Sequence, residues 1–554
     1  MPEHTSQARS PGDHQKNKKY IFKTDPWAHQ LEALKRSWDK TFFALLCDYG
    51  TGKTKIVIDN AAILYEYNLI TALMVIAPNG VHEDWIIDHV PKHLPDRIAH
   101  IDRSWTGSTS QKFKASLEEF WEPRNTNKLK IFTINVEALQ TSSRARAFCK
   151  NFLLAFPSFL AVDESTRIKT PSAKRAKFVV NTLGKLAQYR RTMTGNEITR
   201  SPFDVYMPYL FLDQNFWHPI PNFHVFKHRY GEWKTGYTYR KSVKVDLTCS
   251  FCSEDISEIK LKRLSDRLFP VCPLCSKVIP VEEVPGKARK IINDNGKFEY
   301  PTLINYKNLE ELRARTRECS YIIKAEECQD LPPKIYKPIY TQMNEEQIQV
   351  YKELKTKLIT EYKGTELTVT HKIALSVRFQ QIVGGFFPET EEPLGDTNPK
   401  IERLLYDLED VDCPDPLIIW AVFKPELRAL YSALRKEYNA PVALYYGETP
   451  KPERLRIRED FQAGKYKFLV ANPSTAGTGL NLQRAYIQYF FSNSNNAEDR
   501  WQSEKRTHRG EQTKTCFYKD VFIRGTIDDT IRKANEEKKA LAEFFREKPL
   551  EKLF

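Results

Sequence analysis

Apolar residues fall into two patterns along this chain. Short unbroken apolar runs predict buried strands. TFFALLC, ending at Cys47, is one such run, and SFLAV, just before Asp163, is another. Apolar residues at intervals of three and four predict helices. Ile56, Val57, Ala61, Ile63 and Leu64 keep roughly that interval in KTKIVIDNAAILYEY. A strand, a short polar turn and a helix are therefore predicted in succession. PLIIWAVFKPELRAL reads as a second strand followed by a helix. The closing RKANEEKKALAEFFREKPLEKLF predicts a charged helix with a thin apolar stripe, either bracing the first domain or lying in solvent. Residues 1–24 are polar and basic and predict a disordered tail, with no apolar core of a signal peptide. Residues Gly384 to Lys400, GGFFPETEEPLGDTNPK, predict an exposed loop. The nearest candidate for a membrane span, ILYEYNLITALMVIAP, is interrupted by Glu66 and Asn68, so none is expected.

The turn between the first strand and helix is CDYGTGKTK. It ends like a phosphate-binding loop, although Cys47 stands where G-x-x-x-x-G-K-[ST] has its first glycine. Gly50, Thr51 and Gly52 would let backbone approach phosphate oxygens at the helix N-terminus. Lys53 would reach the β- and γ-phosphates of ATP, and Thr54 would hold Mg²⁺. The other reading is a chance G-x-G-K-T in a turn. A triphosphatase also needs acid on a later strand. Asp163 and Glu164 end the apolar run of SFLAVDESTRIKT. There Asp163 would bind Mg²⁺ and Glu164 would serve as general base. An Asp-Glu pair alone is more often a solvated surface. At the C-terminal end of a buried parallel strand it lies where ligands bind.

Composition adds two things. The 554 residues give room for about three or four domains. Lys and Arg total 85 against 71 Asp and Glu, a surplus of +14 that suits a polyanion such as nucleic acid, or merely a basic soluble protein. Ten cysteines without a secretory signal point to a reducing compartment. Four of them, Cys249, Cys252, Cys272 and Cys275, form C-x2-C-x19-C-x2-C, the spacing of a structural four-cysteine zinc ribbon. Free thiols or two disulfides are the alternative. The preceding FHVFKHRYGEWKTGYTYRKSVKV is aromatic and basic, and reads either as a stacking surface for bases or as the core of a small domain.

Taken in order, these segments resemble the superfamily 2 helicase-like ATPases, and among them the Swi/Snf-like DNA translocases. CDYGTGKT is similar to that family's loop, D-x-G-x-G-K-T, where the outer glycine is often absent. DESTRIKT resembles its D-E-A-H-R-I-K-N box, with Ser165 and Thr166 replacing Ala-His. WAHQLEAL resembles the nucleotide-recognition motif, which makes Gln30 the candidate adenine contact. MVIAPNGVHEDWIIDH and IFTINVEAL resemble motifs Ia and Ib. RRTMTGNEITRSPFDVYMPYLFLD resembles motif III, with Asn196-Glu197 where Thr-Pro is usual. PLIIWAVFKPELRAL resembles motif IV. Thr475, Gly477, Gly479, Leu480 and Asn481 match motif V. Gln502, Arg506, His508, Arg509 and Gln512 match motif VI, with Gly510-Glu511 in place of Ile-Gly. The resemblance implies that Gly479 and Gln502 contact the nucleotide, and that Arg506 and Arg509 are arginine fingers on its γ-phosphate.

The resemblance implies an α/β fold of two RecA-like lobes with parallel sheets, plus an inserted zinc ribbon. The expected boundaries are a first lobe at 25–218, an insertion at 219–330 with its ribbon near 245–280, and a second lobe at 331–554 that includes a C-terminal helix. The implied function is a DNA-dependent ATPase that translocates on and remodels duplex DNA. Compact bacterial or phage members are similar, which implies a cytoplasmic protein. Two other readings stay open: a strand-separating helicase on single-stranded DNA or RNA, and a non-catalytic DNA-binding scaffold.

Overall fold

The structure is a computed structural model. It describes residues 20–239, 242–264, 267–293, 297–357, 359–362, 365–368, 372–476, 482–510 and 512–546. The predicted first strand is β1 (Phe42–Cys47), followed by β2 (Ala72–Ala77), β3 (His100–Ser104), β4 (Leu129–Asn135), β5 (Ser158–Asp163) and β6 (Tyr189–Met193). Every residue of β2 and β5 is buried, as expected of parallel strands covered on both faces. Helix α1 (Ala28–Ser37) precedes β1, and α2 (Lys53–Glu66) follows it, with Ile56, Val57, Ala61 and Leu64 in the core.

Residues Ile220–Arg313 form a separate compact unit. Its strands are β7 (Gly231–Tyr239), β8 (Ser242–Thr248), β9 (Asp255–Leu264), β10 (Arg267–Val271) and β11 (Lys297–Tyr306). They pair antiparallel, as β7 with β11 and as a three-stranded β10-β9-β8 sheet. The aromatic segment is partly core: Phe226 and Tyr230 are buried.

The chain then returns through β12 (Ser320–Ile323), which lies parallel to β1 with Cys47 opposite Ile323. The first sheet is therefore seven-stranded, β12-β1-β6-β5-β2-β4-β3, and parallel throughout. This differs from the expected boundaries. Residues 314–330 lie with the first lobe's side of the chain, because Tyr321 and Ile323 complete its core. The tail expectation also shortens. Tyr20 and Phe22 pack on that core, and the Tyr20 hydroxyl donates to Asp59 at 3.2 Å.

The second lobe holds β13 (Lys334–Thr341), the hairpin β14 (Ile359–Tyr362) and β15 (Thr365–Thr368), β16 (Leu417–Trp420), β17 (Val442–Tyr445), β18 (Phe468–Ala471), β19 (Ile487–Phe490) and β20 (Cys516–Ile523). Six of these form a parallel sheet, β13-β20-β19-β16-β18-β17. The motif IV run gives β16 and helix α3 (Lys424–Tyr438) as predicted. Glu426 caps α3 by accepting from the backbone N–H groups of Val422 and Phe423, and burial raises its carboxyl to about 7. Helix α4 (Ala497–Glu504) carries the start of motif VI. The terminal helix α5 (Ile527–Arg546) packs Ala542 against Ala497 and Trp501 of α4, and its Phe545 carbonyl accepts from Arg317. It is thus anchored to the second lobe and tied to the segment leading into β12. Two RecA-like lobes result, each built on a parallel sheet.

Candidate active site

The loop begins where β1 stops. Cys47 is wholly buried and still paired in the sheet, so the turn starts one residue later than in the general pattern and needs no glycine there. Gly50 and Gly52 take φ +80° and +78°, the left-handed region that other residues enter only with strain. Gly52 is the N-cap of α2. A Cβ on Gly52 would stand 2.1 Å from Gln30 Nε2, well inside contact distance. Gly52→Ala is therefore expected to strain the loop and cost about 1–3 kcal/mol of stability, which a thermal or denaturant melt would read. The Lys53 ammonium donates to the carbonyls of Cys47 at 2.9 Å and Asp48 at 3.1 Å. The Gln30 carboxamide donates to Thr51 O at 3.1 Å and accepts from Trp27 N at 2.9 Å, so it braces the loop while also lining the cleft. Thr51 itself faces away: it is wholly buried, and its hydroxyl donates to Asp48 O at 2.7 Å.

Asp163 and Glu164 sit at the C-terminal end of β5, beside that loop. Asp163 accepts from Glu164 N at 3.0 Å and from the Trp85 indole at 3.3 Å. Trp85 opens a single turn of π-helix, a local widening common at functional sites. Glu164 takes φ +49°, a strained conformation for a residue with a Cβ. Its carboxylate accepts from the Tyr49 hydroxyl at 3.0 Å. Burial raises the pKa of both acids, and the charge of Lys53 opposes that rise.

The second lobe closes the other side. The Gln502 carboxamide donates to Tyr49 Oη at 3.0 Å and to Glu498 at 3.1 Å. Lys505 forms an ion pair with Asp48. Gln329 donates to Gly50 O at 2.8 Å and accepts from Gly510 N at 3.4 Å. Burial, with the Arg509 charge next, pulls Arg506 down to about 10, and burial also lowers Arg509. The result is a cleft of about 570 Å³. Gly50, Gly52, Lys53, Thr54, Asp163 and Glu164 line it from the first lobe, and Gln502, Arg506 and Arg509 from the second. Gly479, with Gly477, Leu480 and Asn481, lies outside the described residues.

Two of the positions that depart from the expected pattern, Thr166 and Glu197, have side-chain partners. Thr166 donates its hydroxyl to Glu498 across the lobes at 3.0 Å. Glu197 accepts from the Tyr209 hydroxyl at 2.8 Å. Gly510 takes φ +58°, and a Cβ there would lie 2.5 Å from Gln483 Nε2. Tyr49, Trp85, Lys505 and Gln329 were not distinguished by sequence reasoning. Tyr49 alone had a signal, its place inside the loop.

In the separate unit, Cys249 and Cys272 are buried and Cys252 and Cys275 half-buried, beside Val243, Ile259 and Ile279. The four sulfurs lie within 4.8 Å of one another, with Cys249–Cys275 and Cys252–Cys272 both at 3.8 Å. A tetrahedral ZnS₄ centre with bonds of ~2.3 Å has edges of about 3.8 Å. The cluster therefore fits zinc, and 3.8 Å is too long for a disulfide.

Residues 399–511 match the model of the helicase conserved C-terminal domain. The second lobe therefore carries a helicase conserved C-terminal domain. Curated relatives include a "probable global transactivator" of Orgyia pseudotsugata multicapsid polyhedrosis virus, 24% identical over 39% of this chain and 47% of that protein. The "putative ATP-dependent helicase/translocase YwqA" of Bacillus subtilis is 26% identical over 38% of this chain and 24% of that protein. The "ATP-dependent RNA helicase RhlB" of Idiomarina loihiensis is 35% identical over 20% of this chain and 25% of that protein. This chain thus spans less than half the length of these relatives. The SWI2/SNF2 ATPase core of Sulfolobus solfataricus in complex with dsDNA covers 97% of this chain and 94% of its own, at 18% identity and TM-score 0.36. A superposition that loose adds nothing to the strand orders of the helicase-like core. Among the described residues, no helix is long and apolar enough to cross a membrane.

Proposed function

We propose that the helicase-like core is a nucleic-acid-dependent ATPase acting on duplex DNA, and that each ATP cycle shifts its grip along the backbone. The observation that carries this reading is one cleft lined by Lys53, Asp163 and Glu164 from the first lobe and by Arg506 and Arg509 from the second. Glu164 would take a proton from water as its oxygen attacks the γ-phosphorus and the bond to the β-phosphate oxygen breaks, leaving ADP and phosphate. Arg506 and Arg509 would stabilise charge on the transferring group. Thr54 and Asp163 would hold Mg²⁺, which when bound neutralises phosphate charge. The fit is chemical: Asp163 is a buried carboxylate lining the cleft, and a divalent cation offsets the cost of its burial.

The +14 surplus supports a polyanionic partner. Backbone phosphate contacts carry no sequence information, so binding should be sequence-independent and salt-sensitive. A reducing cytoplasm, bacterial or phage-infected, is the proposed location, and it suits the ten cysteines. The test is ATP turnover of the full chain with matched duplex, forked and single-stranded DNA, and with RNA. Duplex DNA should stimulate most. Stimulation only by RNA would favour a strand-separating helicase, which the RhlB likeness brings to mind, and no turnover with any polymer would favour a scaffold.

Cys249, Cys252, Cys272 and Cys275 would hold a structural zinc. Metal analysis of the purified chain is expected to find one zinc per chain, and Cys272→Ser is expected to remove it and to make the 220–313 unit susceptible to protease. A zinc-free wild-type chain with an intact unit would contradict this.

A further inference from the structure

Tyr49 stands inside the phosphate-binding loop, yet its contacts are not those of a phosphate ligand. Its hydroxyl donates to Glu164 Oε2 at 3.0 Å and accepts from Gln502 Nε2 at 3.0 Å. One oxygen thus joins the acid of the first lobe to α4 of the second. The acceptor site of the phenol is filled by Gln502, so its O–H is turned toward Glu164. The ring is held as well. The Lys53 ammonium, from the first lobe, lies 4.8 Å from its centroid, and the Lys505 ammonium, from the second, lies 5.1 Å away.

Helix α4 grips the acidic box a second time. Glu498, one turn before Gln502, accepts from Gln502 at 3.1 Å and from the Thr166 hydroxyl at 3.0 Å. Glu164 and Thr166 are therefore both tied to one face of α4, Glu164 through Tyr49 and Thr166 directly. The left-handed backbone at Glu164 is strained, and a side chain on such a backbone depends on its partners for its aim.

We propose that Tyr49 is a positioning residue that aims Glu164 at the attacking water only while Gln502 of the second lobe holds the Tyr49 hydroxyl. Lobe contact then sets the base, and ATP bound to the first lobe alone turns over slowly. Tyr49 donates to Oε2, from which the Thr194 hydroxyl lies 3.5 Å away, so both contacts fall on one carboxylate oxygen and Oε1 is the oxygen proposed to meet water. The inference rests on the ATPase reading and names how that site is regulated.

The test is steady-state ATP hydrolysis by the full chain, with and without duplex DNA, for Tyr49→Phe, Gln502→Ala and the double variant. Tyr49→Phe keeps the ring and its two ammonium contacts and removes only the hydroxyl. Its kcat is expected to fall roughly 10–100-fold, the range for losing one hydrogen bond to a charged group, with KM for ATP within about twofold of wild type. Gln502→Ala should lower kcat in the same direction. The double variant should be no slower than the worse single one, because both changes break one chain of contacts. An unchanged kcat in Tyr49→Phe would overturn the inference, as would a raised KM with kcat preserved, or single effects that multiply in the double variant. Those outcomes leave the ATPase reading standing. A wild-type chain with no turnover overturns that reading and this inference together.

Discussion

The Lys53→Ala chain is expected to fold and to hydrolyse ATP at least about 10²–10³-fold more slowly than wild type, the scale on which a single preorganised electrostatic donor acts. Without nucleotide, the Lys53 ammonium rests on the carbonyls of Cys47 and Asp48. Lys53 lines the open cleft, so its removal enlarges a solvent-filled space and not the core. In the proposed function Lys53 would be the first lobe's cation against the γ-phosphate, and its charge opposes the effect of burial on Asp163 and Glu164. Phosphate release and a thermal melt, measured on the same preparation, check both halves of the expectation. Wild-type turnover in Lys53→Ala would remove the nucleotide site from this loop.

Arg506→Ala is expected to bind ATP and lose turnover by about 10³-fold or more, within the range known for arginine fingers. Arg506 and Arg509 lie in the same cleft, where burial, and then the Arg509 charge, disfavour the charge on Arg506. An anionic γ-phosphate between the lobes relieves both effects, so the pair is arranged for a ligand rather than for stability. Removing one guanidinium should therefore leave the melting temperature near wild type. Arg506→Lys should not restore turnover, because an ammonium lacks the planar fork that meets two oxygens at once. Nucleotide binding by equilibrium titration, set beside single-turnover hydrolysis, separates the two effects. Loss of ATP affinity equal to the loss of rate would make Arg506 a simple binding residue.

What was legible in the sequence is what local chain chemistry decides. Strand β1, the Gly50–Thr54 turn and helix α2 follow from an apolar run, two glycines and a helical interval within one short stretch. Asp163 is legible for the same reason, since a buried strand must end where its acid begins. The second-lobe arginines were legible by order, as members of a series of motifs. What stayed hidden depends on packing between distant segments. Gln329 and Lys505 touch the loop from 279 and 457 residues away, and no local pattern announces either contact. The first lobe's last strand was assigned to the insertion, because Ser320–Ile323 is too short to declare which sheet it joins. Residues 20–24 looked like tail, yet Tyr20 finds Asp59 39 residues on. The departures from the family pattern also gain a physical account. Thr166 pairs with Glu498, and Glu197 with Tyr209, so two of the substituted positions have their own partners in this chain.

The central claim is that one cleft, built from both lobes, hydrolyses ATP. Phosphate release by the full chain in Mg²⁺ and ATP, with duplex DNA added, tests it most directly when wild type, Lys53→Ala and Arg506→Ala are run side by side. DNA-stimulated turnover is expected in the wild type, with near-background rates in both variants, one from each lobe. Turnover that survives either substitution, or a wild-type chain inert with every nucleic acid offered, would contradict it.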